Sequence, residues 1–258
     1  MSYQFTRKGG TTVEKYLLEQ KAIGKGATSL VYLGLNDKNE KVVIKKVASR
    51  SEAEQEYEIL KSLPSHKHII TWLDYFVEDQ TGYIVLEHHD GVRLGYFKKG
   101  VIRDQELAVQ ITINILEGLK VIHQHRILHC DLTPHNVLIC NEQPQTVKII
   151  DFGSAIRLNE SGEYIGSHQG ATRYYRPPEL KKKNNRFTAN LDTSSDLYSA
   201  ACVCLYLLNG EAPVRKRQAC SKIVNRGLRN VLRKATKKRK AKRYPSAQEL
   251  IDALLPFM

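Results

Sequence analysis

The first third of the chain alternates apolar and polar positions, and the rest follows a helical period. Residues 16–23, 29–35 and 41–47 are short runs rich in β-branched and aromatic residues, which predicts three strands. Gly24 and Gly26 break the first two apart, and an Asn-Asp-Lys-Asn-Glu turn at 36–40 breaks the second from the third. A helix is expected next, opened by Ser51 with Glu54 three residues on as a capping box, and closed by Pro64. Two more strands, at 72–77 and 83–87, complete an antiparallel sheet. Beyond Gly91 the period changes. Across 104–123, Leu107, Ile111, Ile115, Leu119 and Ile122 return on roughly one helical face. Strands followed by helices predict an α+β fold: one domain over 1–258, with a sheet-rich lobe at 1–87 and a mainly helical lobe at 88–258 joined by a short hinge.

Composition narrows this picture. At 258 residues the chain can bury a substantial core, and 41% hydrophobic with 26% charged residues excludes a disordered chain. The longest apolar stretch, 200–208, falls well short of the ~20 residues of a membrane span and predicts a buried helix. No apolar segment follows the N-terminal charges, so no secretory signal is expected. The five cysteines are odd in number and lack CxxC spacing, which argues against zinc and a disulfide framework. Reduced thiols predict a cytoplasmic setting, or a nuclear one in a eukaryotic host. The net charge of +13 is uneven: fourteen Lys or Arg and no acid lie between 215 and 243. Such a run is either a solvated helical surface or a docking face for a polyanion or acidic partner.

Several segments carry chemistry. GKGATS, from Gly24 to Ser29, lies between two predicted strands, so it is either an ordinary hairpin or a glycine loop that lets backbone approach phosphate. Lys45 ends VVIK inside an apolar strand, where an unpaired ammonium would be costly. Lys46 faces the other way by strand alternation. The expected partner of Lys45 is Glu56, which shares a helical face with Leu60 and Leu63; Glu52 is the rival. In the segment from Ile127 to Ile139 and in DFG at 151–153, Asp131, Asn136 and Asp151 each border an apolar stretch. Asn136 and Asp151 offer the hard oxygens that magnesium on phosphate prefers, leaving Asp131 to accept a hydroxyl proton.

Together GKGATS, VVIK, HCDLTPHN, DFG and the PPE at 177–179 resemble the signature set of the eukaryotic-like (Hanks-type) protein kinases, with HCD in place of HRD. The order holds from about Tyr16 to the C-terminus. The resemblance implies a bilobal fold with ATP in the cleft, and magnesium (or manganese) as cofactor. Nucleotide would be bound by Ile23, Gly24, Gly26, Val31, Lys45, Glu56, Leu86, Glu87, His89 and Leu138. Asn136 and Asp151 would hold the metal, and Asp131 would be the catalytic base. His129 would pack on Phe152, Asp196 would be a buried helix cap, and Arg243 would pair with Glu179. Two departures stand out: Cys130 replaces the usual arginine, and Thr133 takes the place of the catalytic-loop lysine. Thr172 is expected to bond Asp131, which favours serine/threonine hydroxyls of protein substrates. Ser161, Tyr164 and Ser167 are candidate phosphosites. The alternatives are an atypical or small-molecule kinase, or a weakly active pseudokinase that binds partners.

Overall fold

The structure, a computed structural model, describes residues 3–6, 14–100, 104–141, 143, 146–168, 172–183 and 186–258. The chain folds as two compact units, Met1–Ser65 with Ile70–His89, and His66–Ile69 with Asp90–Met258.

The first unit is one antiparallel sheet and one helix. Its elements are β1 (Tyr3–Thr6), β2 (Glu14–Lys25), β3 (Ser29–Asn36), β4 (Lys41–Val47), α1 (Arg50–Ser62), β5 (Trp72–Glu78) and β6 (Thr81–Glu87), with strand order β1-β2-β3-β4-β6-β5. The strand β1, which pairs with β2, extends the sheet beyond the five strands expected. Alternation along β4 sorts its side chains. Val42 and Ile44 join Tyr16, Leu18, Phe76, Tyr83 and Val85 in one apolar cluster, and Lys46 lies over the Tyr83 ring on that side. Helix α1 covers the other face. Gly82 permits its approach, because a Cβ there would lie 2.2 Å from that of Ala53.

The cap of α1 differs from expectation. Ser49, not Ser51, accepts the Glu52 N–H, and Leu63 and Pro64 end the helix. The S-x-x-E pattern occurs twice in register, at 49–52 and 51–54. The earlier serine is the one left extended just beyond β4, so it takes the cap.

The second unit is mainly helical. It comprises β7 (Gly91–Arg93), α2 (Gln105–Gln124), β8 (Ile127–Leu128), β9 (Val137–Cys140), β10 (Val147–Ile149), β11 (Ile156–Arg157), β12 (Tyr164–His168), β13 (Lys181–Lys183), β14 (Arg186–Leu191), α3 (Thr193–Asn209), α4 (Lys216–Ser221), α5 (Arg226–Ala235) and α6 (Ala247–Leu254). Helix α2 buries Ile111, Ile115, Leu119 and Ile122 as its period predicts, and α3 buries nearly all of its length. Asp192 caps α3, and Gly210, at φ 72°, ends it.

Short strands form three small sheets among the described residues: β10-β9-β7, β11-β8 and β12-β14-β13. The last was not anticipated, because its strands are short and interrupted by polar residues. No helix among the described residues is long and apolar enough to cross a membrane.

Candidate active site

In the first unit, β4 carries Lys45 between Val31 of β3 and Ile84 of β6. Its Nζ lies 2.7 Å from both carboxylate oxygens of Glu56 on α1, with both side chains buried. Glu52, the rival partner, stands in the first turn of α1 near the cap. Two buried charges in such a bidentate contact fix the helix against the sheet. The hairpin between β2 and β3 is closed by Gly26 N–H donating to Ser29 O at 2.8 Å. Gly26 is exposed and Gly24 half-buried, so these two positions present backbone rather than side chain, beside the exposed Ile23.

At the end of β6, Leu86 is buried and Glu87 is committed locally. Glu87 Oε1 accepts the Thr71 N–H at 2.9 Å, its own N–H donates to Thr71 O, and Oε2 meets His89 Nε2 at 3.1 Å.

In the second unit, the loop from His129 to Asn136 is held by buried groups. Asp196 takes the His129 N–H on one oxygen at 2.9 Å and the Cys130 N–H on the other at 3.0 Å. His123 Nε2 also meets it at 2.9 Å. Asp196 is therefore not the cap of its own helix, a role Asp192 fills; it satisfies the backbone of the 129–130 loop instead. Burial works to raise the Asp196 carboxyl, but hydrogen bonds and charge from His123 and His129 outweigh it, so the group titrates below the usual aspartate range.

His129 packs edge-on against Phe152 with ring centroids 5.2 Å apart, as expected. Its Nδ1 accepts the Asp131 N–H at 3.3 Å, which assigns the proton to Nε2, 3.2 Å from Ile150 O. Cys130 adopts φ 64°, an uncommon left-handed conformation outside glycine. Burial, then the Asp196 and Asp131 charges, push its thiol well up, so it supplies neither a cation nor a thiolate.

Asp131 accepts Thr172 Oγ1 and Thr172 N–H on one oxygen, each at 2.9 Å, and Asn136 Nδ2 on the other at 3.2 Å. Asn136 Nδ2 also donates to Asp131 O at 2.8 Å, so its amide oxygen is the end left to face a cation. Ile150 N–H donates to Asn136 O at 2.9 Å, bringing Asp151 one residue away. Asp151 is exposed, at φ 68°, and its carboxylate accepts the Gly153 N–H. Thr133 is 2% exposed, and its hydroxyl accepts the His135 N–H, capping the short turn that carries Asn136. Leu138, on β9, is half-buried.

Arg243 is buried and grips Glu179 with two bonds of 2.7 Å, while Ser195 Oγ adds a third to the same carboxylate. Ser161 is exposed, whereas Tyr164 packs against the cluster of Leu128, Cys130, Leu158 and Leu191. Gly170, Ala171 and the Ser167 side chain lie outside the described residues.

The basic run is not one uniform face. Lys216 reaches Tyr174 O, Lys222 pairs with Glu211, and Lys240 and Arg243 turn inward. Arg217, Arg226, Arg233, Lys234, Lys237, Lys238, Arg239 and Lys242 remain exposed. Sequence reasoning missed Ser195, His123 and Lys240; only His123 left a signal, a histidine in the last turn of an apolar helix just before the loop it supports.

Comparison with known proteins gives a consistent result. A family model described as "Protein kinase domain" matches residues 17–257. A relative from Caenorhabditis briggsae, "Probable serine/threonine-protein kinase zyg-1", is 31% identical over 218 residues, covering 81% of this chain and 29% of the relative. "Mitogen-activated protein kinase kinase kinase 2" of Arabidopsis thaliana is 30% identical, covering 74% of this chain and 31% of that protein. "Probable casein kinase II subunit alpha homolog" of Encephalitozoon cuniculi is 33% identical over 78% of this chain and 61% of its own length. The chain thus spans less than two thirds of each of these relatives.

Proposed function

The chain belongs to the protein kinase family, and from that premise we propose that it transfers the γ-phosphate of ATP to serine or threonine hydroxyls of proteins, with Asp131 as base. The observation that carries this reading is Asp131 itself, oriented by Thr172 and Asn136 through both of its oxygens. A carboxylate so placed takes the hydroxyl proton as the substrate oxygen bonds to phosphorus and the bond to ADP breaks. Relatives named as serine/threonine kinases support the hydroxyl specificity.

The other residues have parts to match. Lys45, kept in place by Glu56, binds phosphate oxygens; the Gly24–Gly26 backbone lies against them; Ile23, Val31, Leu86 and Leu138 offer apolar contacts and the Glu87–His89 backbone polar ones to the base. Asn136 and Asp151 fit magnesium, since a metal shared with phosphates needs only one or two protein oxygens. Accordingly, the absence of any cluster of three His, Cys, Asp or Glu among the described residues does not conflict with it. Bound there, magnesium neutralises charge that builds on the transferring phosphate. Thr133 acts by holding the turn that positions Asn136. Five buried cysteines fit a reducing compartment such as the cytoplasm.

The exposed cations from Arg226 to Lys242 fit an acidic protein segment, by charge complementarity rather than a shaped pocket. The central test is phosphate transfer from radiolabelled Mg-ATP to generic protein substrates, followed by phosphosite mapping. Label on serine or threonine that disappears in Asp131→Asn and Asp151→Asn supports the reading; a wild-type rate in Asp131→Asn overturns it.

A further inference from the structure

Glu163 and Glu179 flank the segment that carries Thr172, and both are gripped from one short turn. That turn, Lys240–Lys242, is followed by Arg243, whose N–H donates to Lys240 O at 2.9 Å. Arg243 takes Glu179, as described above. Lys240 reaches the opposite end: its Nζ meets Asn190 Oδ1 at 2.7 Å, Asp192 Oδ2 at 3.0 Å and Glu163 Oε1 at 3.4 Å. An ammonium has three donors, and here it has three acceptors.

Two of the three acceptors are themselves built in. Asp192 uses its other oxygen to cap α3 through Ser194, so the Lys240 contact ties into the helix that carries Asp196. Glu163 closes a turn in which its N–H donates to Asn159 Oδ1 and its carbonyl accepts the Asn159 N–H, both at 2.9 Å, with Gly162 at φ 76°. Strand β12 begins at the next residue, Tyr164, paired with Leu191 at the end of β14. Lys240 therefore joins the turn before β12 to the turn after β14. Burial works to lower the Lys240 amine, but the bonds and charges of Asp192 and Glu163 outweigh it and the amine titrates above its usual range, which keeps the clamp charged.

Segments of this kind are commonly ordered by a phosphate that pairs with arginine. Here Cys130 offers no cation for such a phosphate, while Glu163 and Lys240 supply an ion pair already encoded in the chain. We propose that Lys240 is a positioning residue that holds β12 and β14 in their paired form without phosphorylation. The kinetic consequence rests on the transfer activity proposed above; the structural one does not.

The test uses the full chain, with Lys240→Ala, Lys240→Arg and, as control, Lys38→Ala. Amide hydrogen exchange is followed in β12 and β14, with α2 as a reference for the global fold. Lys240→Ala is expected to exchange at least about tenfold faster in β12 and β14 while α2 is unchanged, because the opening is local. Its kcat for peptide should fall roughly tenfold, with KM for ATP within about twofold, as loss of positioning predicts. Lys240→Arg should recover most of both, and Lys38→Ala, an exposed lysine in the turn after β3, should match wild type. Phosphatase-treated wild type should keep its rate within about threefold, since no charge needed for order has been removed. Unchanged exchange in Lys240→Ala, or a hundredfold loss on phosphatase treatment (on the order expected of an enzyme that needs its phosphate) overturns the proposal. A wild type that transfers no phosphate at all counts against the activity, and the exchange comparison still decides the clamp.

Discussion

Thr172 donates both its hydroxyl and its backbone N–H to a single oxygen of Asp131, each at 2.9 Å. Because Asn136 holds the other oxygen, the carboxylate cannot rotate without breaking a bond. Thr172→Ala keeps the backbone bond and loses the hydroxyl. We expect kcat to fall roughly 10- to 100-fold, the scale of a slightly misplaced catalytic group, with KM for ATP little changed. Thr172→Ser should stay within a few-fold. Steady-state kinetics on a peptide decide it: equal losses in Ala and Ser would mean the hydroxyl is not the operative contact.

Lys45 and Lys46 are neighbours with opposite surroundings. Lys45 is buried against Glu56, whereas Lys46 lies over the Tyr83 ring and is half-exposed. Replacing Lys45 with Met removes the cation held against the buried Glu56 carboxylate, a loss of about 3–5 kcal/mol in the first unit unless the carboxyl takes up a proton. Lys46→Met should cost under about 1 kcal/mol. Phosphate transfer should be nearly abolished only by the Lys45 change. Thermal melting and activity of the two variants, side by side, measure this; similar outcomes would contradict the strand register.

Asp196 makes stability depend on acid. Its folded pKa lies below the unfolded value of about 3.9, so its contribution is complete above that value and is lost as pH falls through the folded one. Asp196→Asn should cost about 3 kcal/mol or more at pH 7, because a buried carboxylate that binds two backbone N–H groups is removed. The gap between wild type and variant should hold from pH 7 to about pH 5 and shrink below about pH 4. Urea unfolding across that range is the measurement, and a gap that widens in acid refutes the assignment.

The exposed cations make a prediction that must avoid Lys240, which is tied to Glu163 and Asp192. Lys237, Lys238 and Arg239 are exposed, so their joint reversal to Glu leaves the fold intact. Wild type should bind an acidic peptide at low salt and lose roughly tenfold or more in affinity by physiological salt, through screening. The triple variant should bind weakly at any salt yet phosphorylate a small neutral peptide at the wild-type rate. Fluorescence anisotropy tests it, with single-stranded nucleic acid of equal charge as competitor. Preferential binding of the nucleic acid would reassign the partner, and no binding to either would leave a solvated surface.

Much of the site could be read along the chain because its chemistry is local in sequence. Alternation in VVIK separates Lys45 from Lys46, and the five-residue step from Asp131 to Asn136 is short enough for one loop to carry both. The α1 cap shows where such reading fails: two S-x-x-E patterns overlap, and only the end of β4 at Val47 selects Ser49. The basic run fails for a related reason, since lysines that look alike in sequence are sorted only by which acids stand near them.

By itself, the sequence determined the strand-then-helix order, the buried faces of α2 and α3, and the identity of the groups able to handle phosphate, because periodicity and residue chemistry are properties of short stretches. The Thr172 bond to Asp131, across 41 residues, is implied only by the family resemblance. Tertiary structure alone decided other contacts between distant positions: Asp196 supports a loop 66 residues earlier, and Lys240 meets Glu163 across 77. No pattern along the chain encodes those pairings. They arise where burial brings a charge beside the one partner able to satisfy it, and the cost of leaving that charge unpaired selects the arrangement.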